Sequence, residues 1–573
     1  MRKGASKQKA VNRAKPTSER LHWQRWPVMM LAVILCVQCA MAIYFGREKV
    51  GYHEDEMYTY ELANYPEGFL AWTPGIVNSW QSGTFYREAF AVTGERRFNY
   101  AIPYHNQEAD VHPPLYYFVI HTVSSVVGTF SKWTGLIPNI AFALFSSLLL
   151  YCIGMKLLHS PALALAATAL WGLGIGGMSS VMLIRMYAMM TTACLLLVWM
   201  HLRAWDGLIR QKFSLSSLLG LFSATVFGIL TQYYFLIFCF FWCAVWFGIL
   251  LFTRRWKALA AYTATEFGAI IVSIAFFPKM IYHLFAGSRG KEAFSNAASG
   301  ADYGVHLRKV LAINSRELVN GWGKELLILL MLTALLCIVY RFCHRCTVRI
   351  GEGNEATVSL PIPSKLAVPD TVHITMQGTA WMATVVTVVC YVLVVARVAP
   401  YQTDRYYMCI HPLIVLAVVG AVYGTVKFAV KKKKLVHAIV CVLTVLILAA
   451  SYKNQSVNYL YKWREEWLPL LPAYTEKPVV VVTPEASDYR PDKVAVDFMR
   501  FDWIYRCKCG GFSGLEGLAG DEKLQNGFLL YNVGHVQQTE EEFFAGVRVY
   551  LPIEAYKLLA SGDNIYIYYC ELR

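Results

Sequence analysis

The chain has 573 residues, 56% of them hydrophobic and only 16% charged. A soluble protein of this length carries more charge, so the composition excludes a soluble enzyme and predicts a polytopic membrane protein. The net charge of +15 gathers in blocks beside apolar runs, which argues against nucleic-acid binding and for cytoplasmic anchors under the positive-inside rule.

In chain order, residues 1–26 read as a basic cytoplasmic tail, with Arg2, Lys3, Lys7, Lys9, Arg13, Lys15, Arg20 and Arg25. The first apolar run, 27–45, is too long for a signal-peptide core. No small-x-small site with a polar mature region follows it, so it reads as an uncleaved span. Further runs of spanning length lie near 136–155, 161–182, 187–202, 214–232, 234–252, 260–284, 324–341, 378–397, 408–428 and 435–452, making about eleven spans. Basic segments at Arg203 to Lys212, Arg254 to Lys257, Arg341 to Arg349 and Lys431 to Lys434 alternate with these spans as cytoplasmic loops should.

The apolar segment 114–131 breaks that parity. If it crossed, Lys431 to Lys434 would face the outside. Its opening Pro-Pro and its Tyr116, Tyr117 and His121 suit a re-entrant or interface-lying helix instead. Residues 46–135 then form one large first outer loop with membrane-surface helices. The stretch 343–375, with Pro361, Pro363 and Pro369, reads as an ordinary cytoplasmic loop. After residue 453 the pattern changes: Val479 to Val482, Gly527 to Tyr531 and Ile565 to Tyr569 read as buried strands, with a helix across Pro491 to Arg500. Residues 453–573 are therefore an external α/β domain. Most of the 15 cysteines lie in apolar runs, where Cys acts as a small hydrophobe, and they form no disulfide framework.

Two stretches of the first outer loop carry the chemistry, Gly51 to Tyr58 and Asp110 to Tyr117. They set carboxylates and imidazoles at one membrane surface, where acids are costly and call for a functional reason. The pattern predicts an active site handling a membrane-embedded, phosphate-bearing lipid. Asp55 is the expected catalytic base; Glu54 and Glu56 point elsewhere, because consecutive residues do not share a face. Asp110 and His112 share a face if the segment is extended, as Pro113 favours, although Asp110 could instead cap a proline-led helix. With Asp55 and His53 the pair could also hold a divalent metal, though no spacing here is metal-specific. Arg185-Met-Tyr187 and Arg405-Tyr406 each put an arginine at the outer boundary, as a snorkelling anchor or as a fork for a lipid phosphate.

Other patterns are set aside. Gly172 to Gly177 lies inside a span, so close helix packing accounts for it better than a phosphate loop. Cys343-His-Arg-Cys346 has no second pair to complete a zinc site. Cys507-Lys-Cys509 is redox-active or simply exposed.

At Asp55-Glu56-x-Tyr58, Asp110-x-His112-Pro-Pro-Leu-Tyr-Tyr117, Ile184-Arg-Met-Tyr187, Thr231-Gln-Tyr-Tyr-Phe235 and Arg405-Tyr406, the chain resembles the GT-C superfamily. Within it the sequence is similar to the bacterial glycosyltransferase family 39 and RgtA/B/C/D-like group, relatives of protein O-mannosyltransferases and the lipid A aminoarabinose transferase. The resemblance spans roughly residues 25–450, so 27–452 would be a GT-C-like transmembrane glycosyltransferase domain with 46–135 as its catalytic loop. It implies inverting transfer from a polyprenyl-phosphate sugar, with Asp55 of the Asp55-Glu56 pair as base. His112 stands where relatives often carry a lysine for phosphate contact, and Gln232, beside Tyr233, where many have histidine. The C-terminal domain lies outside the pattern.

The residues support that chemistry independently. A polyprenyl phosphate leaves readily, so cations must hold the departing charge and one carboxylate must take the acceptor's proton. Asp55 with Arg185, Arg405 and His112 is a minimal sufficient set; no cofactor is certain, and the acids and imidazoles leave a divalent metal possible. The acceptor hydroxyl could belong to a cell-envelope glycan, a lipid or a protein. The alternative from another class is a transporter or flippase of a lipid-linked saccharide, but such proteins bind near the midplane. Here mid-span charge is sparse, with Glu266 the main case.

Overall fold

The computed structural model describes residues 25–299, 302–323, 328, 331, 348–350, 356–358, 375–484, 490–534 and 539–573. The tail before residue 25, most of the expected span 324–341 and the Cys343–Cys346 pair lie outside them.

The bundle begins with α1 (Arg25–Glu48). The stretch expected as the first outer loop then folds into α2 (Glu54–Asn64), strand β1 (Trp80–Gln81), α3 (Gly83–Phe90), α4 (Ala101–Ala109) and α5 (Leu115–Val127). The chain returns through α6 (Trp133–Leu158), α7 (Pro161–Gly172), α8 (Ile175–Met182), α9 (Tyr187–Ile209), α10 (Leu215–Ile229), α11 (Tyr234–Phe252) and α12 (Trp256–Phe276). Helices α13 (Lys279–Phe285), α14 (Ser288–Ser299) and α15 (Tyr303–Val319) follow, then α16 (Met376–Val398), α17 (His411–Ala429) and α18 (Lys433–Asn454).

Among the described residues, 8 helices are long and apolar enough to cross a membrane, or 9 if the bent pair α7–α8 is one span. Helix α10, read from sequence as a span, is a shorter apolar helix of 15 residues. Helix α5, with 13 residues, is only about 20 Å long against a hydrocarbon core of about 30 Å, too short to cross upright. The most hydropathic window of α9 is 78% buried within the protein and that of α1 only 17%. So α9 is central and α1 faces lipid.

The glycine run between α7 and α8 does more than allow close packing. The two helices meet at 49°, and an added Cβ at Gly177 would lie 2.1 Å from the Trp171 carbonyl oxygen. The chain can fold back that tightly only without a side chain.

Within the stretch read as an ordinary loop, β2 (Val348–Ile350) pairs antiparallel with β3 (Ala356–Val358); their β-branched residues favour an extended pair. The C-terminal region adds β4 (Val479–Val482), β5 (Ile504–Arg506), β6 (Phe528–Val533), β7 (Ile553–Gly562) and β8 (Ile565–Leu572), with α19 (Ala495–Phe498) and α20 (Glu540–Arg548). Strand β4 lies between β5 and β6 and parallel to both, and all four of its valines are buried, as a strand covered on both faces requires. The β7–β8 hairpin turns through Asp563 and Asn564, both at positive φ, the geometry that matches strand twist.

The sheet order is β1-β5-β4-β6-β8-β7, so the stretch between α1 and α6 contributes an edge strand to the C-terminal sheet. A second junction lies at Gly51, where an added Cβ would come within 2.7 Å of Tyr461 Cβ and closer still to Arg464. Nearby, buried Arg464 ion-pairs with buried Asp497. The stretch between α1 and α6 thus rests on the C-terminal region, a support that no local sequence pattern displays.

Candidate active site

The first-loop acids occupy the first turn of α2, where the helix N-terminus favours negative charge. His53 is the N-cap. Its Nδ1 accepts the Asp55 N–H at 3.1 Å, while Glu56 Oε2 accepts the His53 N–H at 2.7 Å. Burial lowers the His53 pKa to about 4 despite Asp55, with Arg405 and Lys493 also lowering it. The cap is therefore a neutral imidazole at neutral pH.

The acids then diverge. Asp55 pairs directly with Arg405 Nη1 through Oδ2 and has His53 Nδ1 at 3.6 Å. Burial alone would raise its pKa; Arg405, then Arg185, override that and hold the carboxyl well below the usual range. Glu56 is fully enclosed, with Lys49 Nζ at 3.0 Å and the Ile184 N–H donating at 2.7 Å. Burial pushes Glu56 up and Lys49 down, and their mutual attraction limits both shifts. With these donors around it, Glu56 anchors α2 to the segment carrying Arg185 rather than facing a reactant.

Arg185 is buried and donates from Nη1 to the Asp55 carbonyl at 3.1 Å, Thr59 Oγ1 at 3.1 Å and Tyr117 Oη at 3.2 Å. Its Nη2 lies 3.4 Å from His112 Nε2, and His112 Nδ1 lies 2.8 Å from Asp110 Oδ2. A guanidinium only donates and a carboxylate only accepts, so His112 carries its proton on Nδ1 and a lone pair on Nε2. Asp110 is not the cap of the following helix: it ends α4, and Pro114 takes the N-cap position of α5. The Nε–H groups of Arg185 and Arg405 are both buried without a protein partner. Two guanidiniums therefore retain donors beside one carboxylate.

Aromatic side chains flank Arg405. Its guanidinium lies 5.5 Å from the Tyr406 ring centroid, and that ring meets Tyr187 at 6.2 Å and Tyr234 at 4.9 Å. The Thr231 to Phe235 motif thus reaches the cluster through Tyr234. Tyr233 instead bonds His283 at 2.9 Å, and Gln232 Oε1 accepts the Tyr233 N–H at 2.6 Å. Tyr234 thus turns toward Arg405 and Tyr233 toward the Asp110 side, because the helical turn beginning α11 points neighbouring side chains in different directions.

His53, Asp55, Asp110 and His112 do not converge as metal ligands. They split between an Asp55–Arg405 pair and an Asp110–His112 pair, and a guanidinium stands where a cation would bind Asp55. Among the described residues, the group of three such side chains with ligand atoms within 4.8 Å of one another is His201, Cys243 and Glu266.

Sequence reading also missed a buried network behind Arg405. Asp404 accepts from the Tyr459 hydroxyl, and Asn458 Nδ2 donates to Asp404 Oδ2 and Glu317 Oε1, each at 3.1 Å. Burial first and Asp404 second push Glu317 well above the usual carboxylate range. A cavity of about 550 Å³ lies alongside, bordered by Lys309, Arg316, Thr403, Asp404 and Tyr459. A second of about 650 Å³ is apolar and bordered by Tyr100, Tyr104, Phe118, Val119 and Phe276. Asp55 borders neither cavity. The only sequence signal for the network was Asp404 preceding Arg405.

ArnT from Cupriavidus metallidurans in the apo state superposes with a TM-score of 0.50 at 10% identity, covering 95% of this chain and 97% of that one. The chain has a GT-C-like fold. ArnT from the same organism bound to undecaprenyl phosphate gives a TM-score of 0.49 at 10% identity, covering 95% and 98%. The archaeal oligosaccharyltransferase AglB from Archaeoglobus fulgidus, in complex with an inhibitory peptide and a dolichol-phosphate, gives 0.42 at 9% identity, covering 89% and 69%. No protein-family model and no curated protein matches the chain. In this GT-C-like fold the acid-bearing helix α2 and the arginine-bearing turns come together on one face of the bundle, as the ion pair and hydrogen bonds above record.

Proposed function

We propose that the chain is an inverting glycosyltransferase that moves a sugar from a polyprenyl-phosphate carrier to an acceptor hydroxyl at the outer membrane face. One observation carries the proposal: a single partly exposed carboxylate, Asp55, lies between two guanidiniums that each keep a buried unpartnered Nε–H. The GT-C-like fold and the five motifs in their order support the same reading.

In the reaction, Asp55 accepts the proton of the acceptor hydroxyl as that oxygen attacks the anomeric carbon. The bond from that carbon to the phosphate oxygen breaks, configuration inverts, and the phosphate leaves with the electron pair. Arg405 and Arg185 stabilise the departing charge, and the Asp110–His112 pair orients Arg185. No general acid is needed. Asp55 bound to Arg405 is a weak base, so donor phosphate drawing Arg405 away raises the basicity of Asp55. Donor binding therefore precedes proton abstraction. Glu56 and Lys49 position α2 and do not touch substrate. The apolar cavity beside α5 and α12 suits a carrier lipid chain.

The positive-inside pattern of the basic loops supports a cytoplasmic N-terminus, with residues 46–135 and 453–573 outside. The donor is then met at the outer leaflet. The test is reconstitution into vesicles with polyprenyl-phosphate sugars and hydroxyl acceptors. Transfer with inversion and release of polyprenyl phosphate supports the proposal; transbilayer movement of intact donor without cleavage overturns it in favour of a flippase.

A further inference from the structure

We propose that His201, Cys243 and Glu266 form a binding site for a thiolate-seeking divalent cation of the zinc class inside the helix bundle, separate from the reaction site. The three residues come from α9, α11 and α12, and their ligand atoms lie within 4.8 Å of one another. Cys243 and Glu266 each sit midway along their helices, so the cluster is deep in the apolar layer. An ionisable residue there needs a reason.

The argument rests on how each ligand is already held. His201 Nδ1 lies 2.8 Å from the Leu197 carbonyl, which cannot donate, so the proton is on Nδ1 and the lone pair on Nε2. A carbonyl on the far nitrogen is the usual outer partner of a metal-bound histidine. Nε2 faces the Tyr262 hydroxyl at 2.8 Å and Cys243 Sγ at 3.9 Å. Thr225 Oγ1 donates to Glu266 Oε2 at 2.7 Å and fixes the carboxyl. The other oxygen, Oε1, is buried with no partner, on a residue only 8% exposed. Ligands and outer partners are thus both present, and one ligand atom is unsatisfied.

Charge favours the assignment. One thiolate and one carboxylate neutralise a dication, and neutral His201 and Tyr262 leave the site with no net charge in a medium that penalises charge. On binding, Cys243 and, where protonated, Glu266 release protons to solvent, and the Tyr262 hydroxyl yields Nε2 to the ion. Sulfur, imidazole and carboxylate suit zinc and disfavour magnesium or calcium, which prefer oxygen ligands. Such an ion would tie three helices together.

The experiment uses the full chain in lipid nanodiscs equilibrated with buffered zinc, with metal measured by mass spectrometry. The expected result is about one zinc per chain. Cys243→Ser and Glu266→Gln should each weaken binding at least about tenfold, and Thr225→Val comparably through loss of the orienting hydroxyl. Cys152→Ser, in α6, should bind as the parent does. Cobalt in place of zinc should give a thiolate charge-transfer band that Cys243→Ser abolishes. Where a variant fails to assemble, alkylation of Cys243 in the parent decides: zinc should block it and a chelator restore it. A parent with no zinc above the nanodisc blank, zinc retained in both ligand variants, or alkylation indifferent to zinc would overturn the proposal.

Discussion

Asp55 and Arg405 lie 350 positions apart in the chain, and their side chains meet in a direct ion pair. The pair joins the first turn of α2 to the short turn between α16 and α17, so it depends on the bundle having closed. It also leaves Asp55 a poor base until something competes for Arg405.

Asp55→Asn removes the proton acceptor but frees Arg405 for the donor phosphate. Turnover should fall by about two orders of magnitude or more, while donor affinity stays level or tightens. Turnover and donor titration on the same preparation check this, and near-parental turnover would refute Asp55 as base.

Arg405→Lys keeps the charge but loses the planar fork, so donor binding should weaken about tenfold or more. Arg185→Lys should also lose stability, because Arg185 Nη1 alone bonds Asp55, Thr59 and Tyr117. Donor affinity and thermal unfolding in detergent separate the two effects. Parental donor affinity in both variants would mean the arginines are membrane anchors.

Glu56→Gln strips the charge partner from fully buried Lys49. Breaking such a pair costs about 3–5 kcal/mol, so the unfolding temperature should drop, whereas turnover per folded molecule should change far less than in Asp55→Asn. A catalytic loss matching Asp55→Asn with normal stability would assign Glu56 to the chemistry.

The His53 pKa near 4 in the fold, against about 6.5 unfolded, gives a signed pH dependence. Between those values the unfolded chain binds more protons, so the His53 contribution to stability is full above about 6.5 and is lost as pH falls towards 4. Protonation also destroys the acceptor that caps α2. His53→Asn, a competent cap that does not titrate, should flatten unfolding temperature against pH in that window. An unchanged slope would place the dependence elsewhere.

Topology can be read by cysteine labelling in intact cells, with a membrane-impermeant reagent and a cysteine-free background. Glu95→Cys and Glu541→Cys, both at exposed positions, should label, and exposed Asp206→Cys should label only after permeabilisation. Opposite behaviour at 95 and 541 would refute the placement of both segments on one side of the membrane.

The apolar runs and the acids that open α2 were legible in the sequence alone, because both are local. A run of apolar residues must enter lipid wherever the rest of the chain goes. Acids at the end of a span are costly in any fold. Their partners are not local. Which arginine meets Asp55, that Glu56 turns to Lys49, that Tyr234 packs beside Tyr406, and that Asp404 joins Asn458 and Glu317 all depend on helix rotation and long-range packing. The union of β1 with the C-terminal sheet is likewise tertiary, since two residues of strand carry no periodic signal and are extended only because β5 pairs with them. The cluster at Glu266 shows the same division. Its presence in a span was legible, but its partners on two other helices were fixed only when the bundle packed.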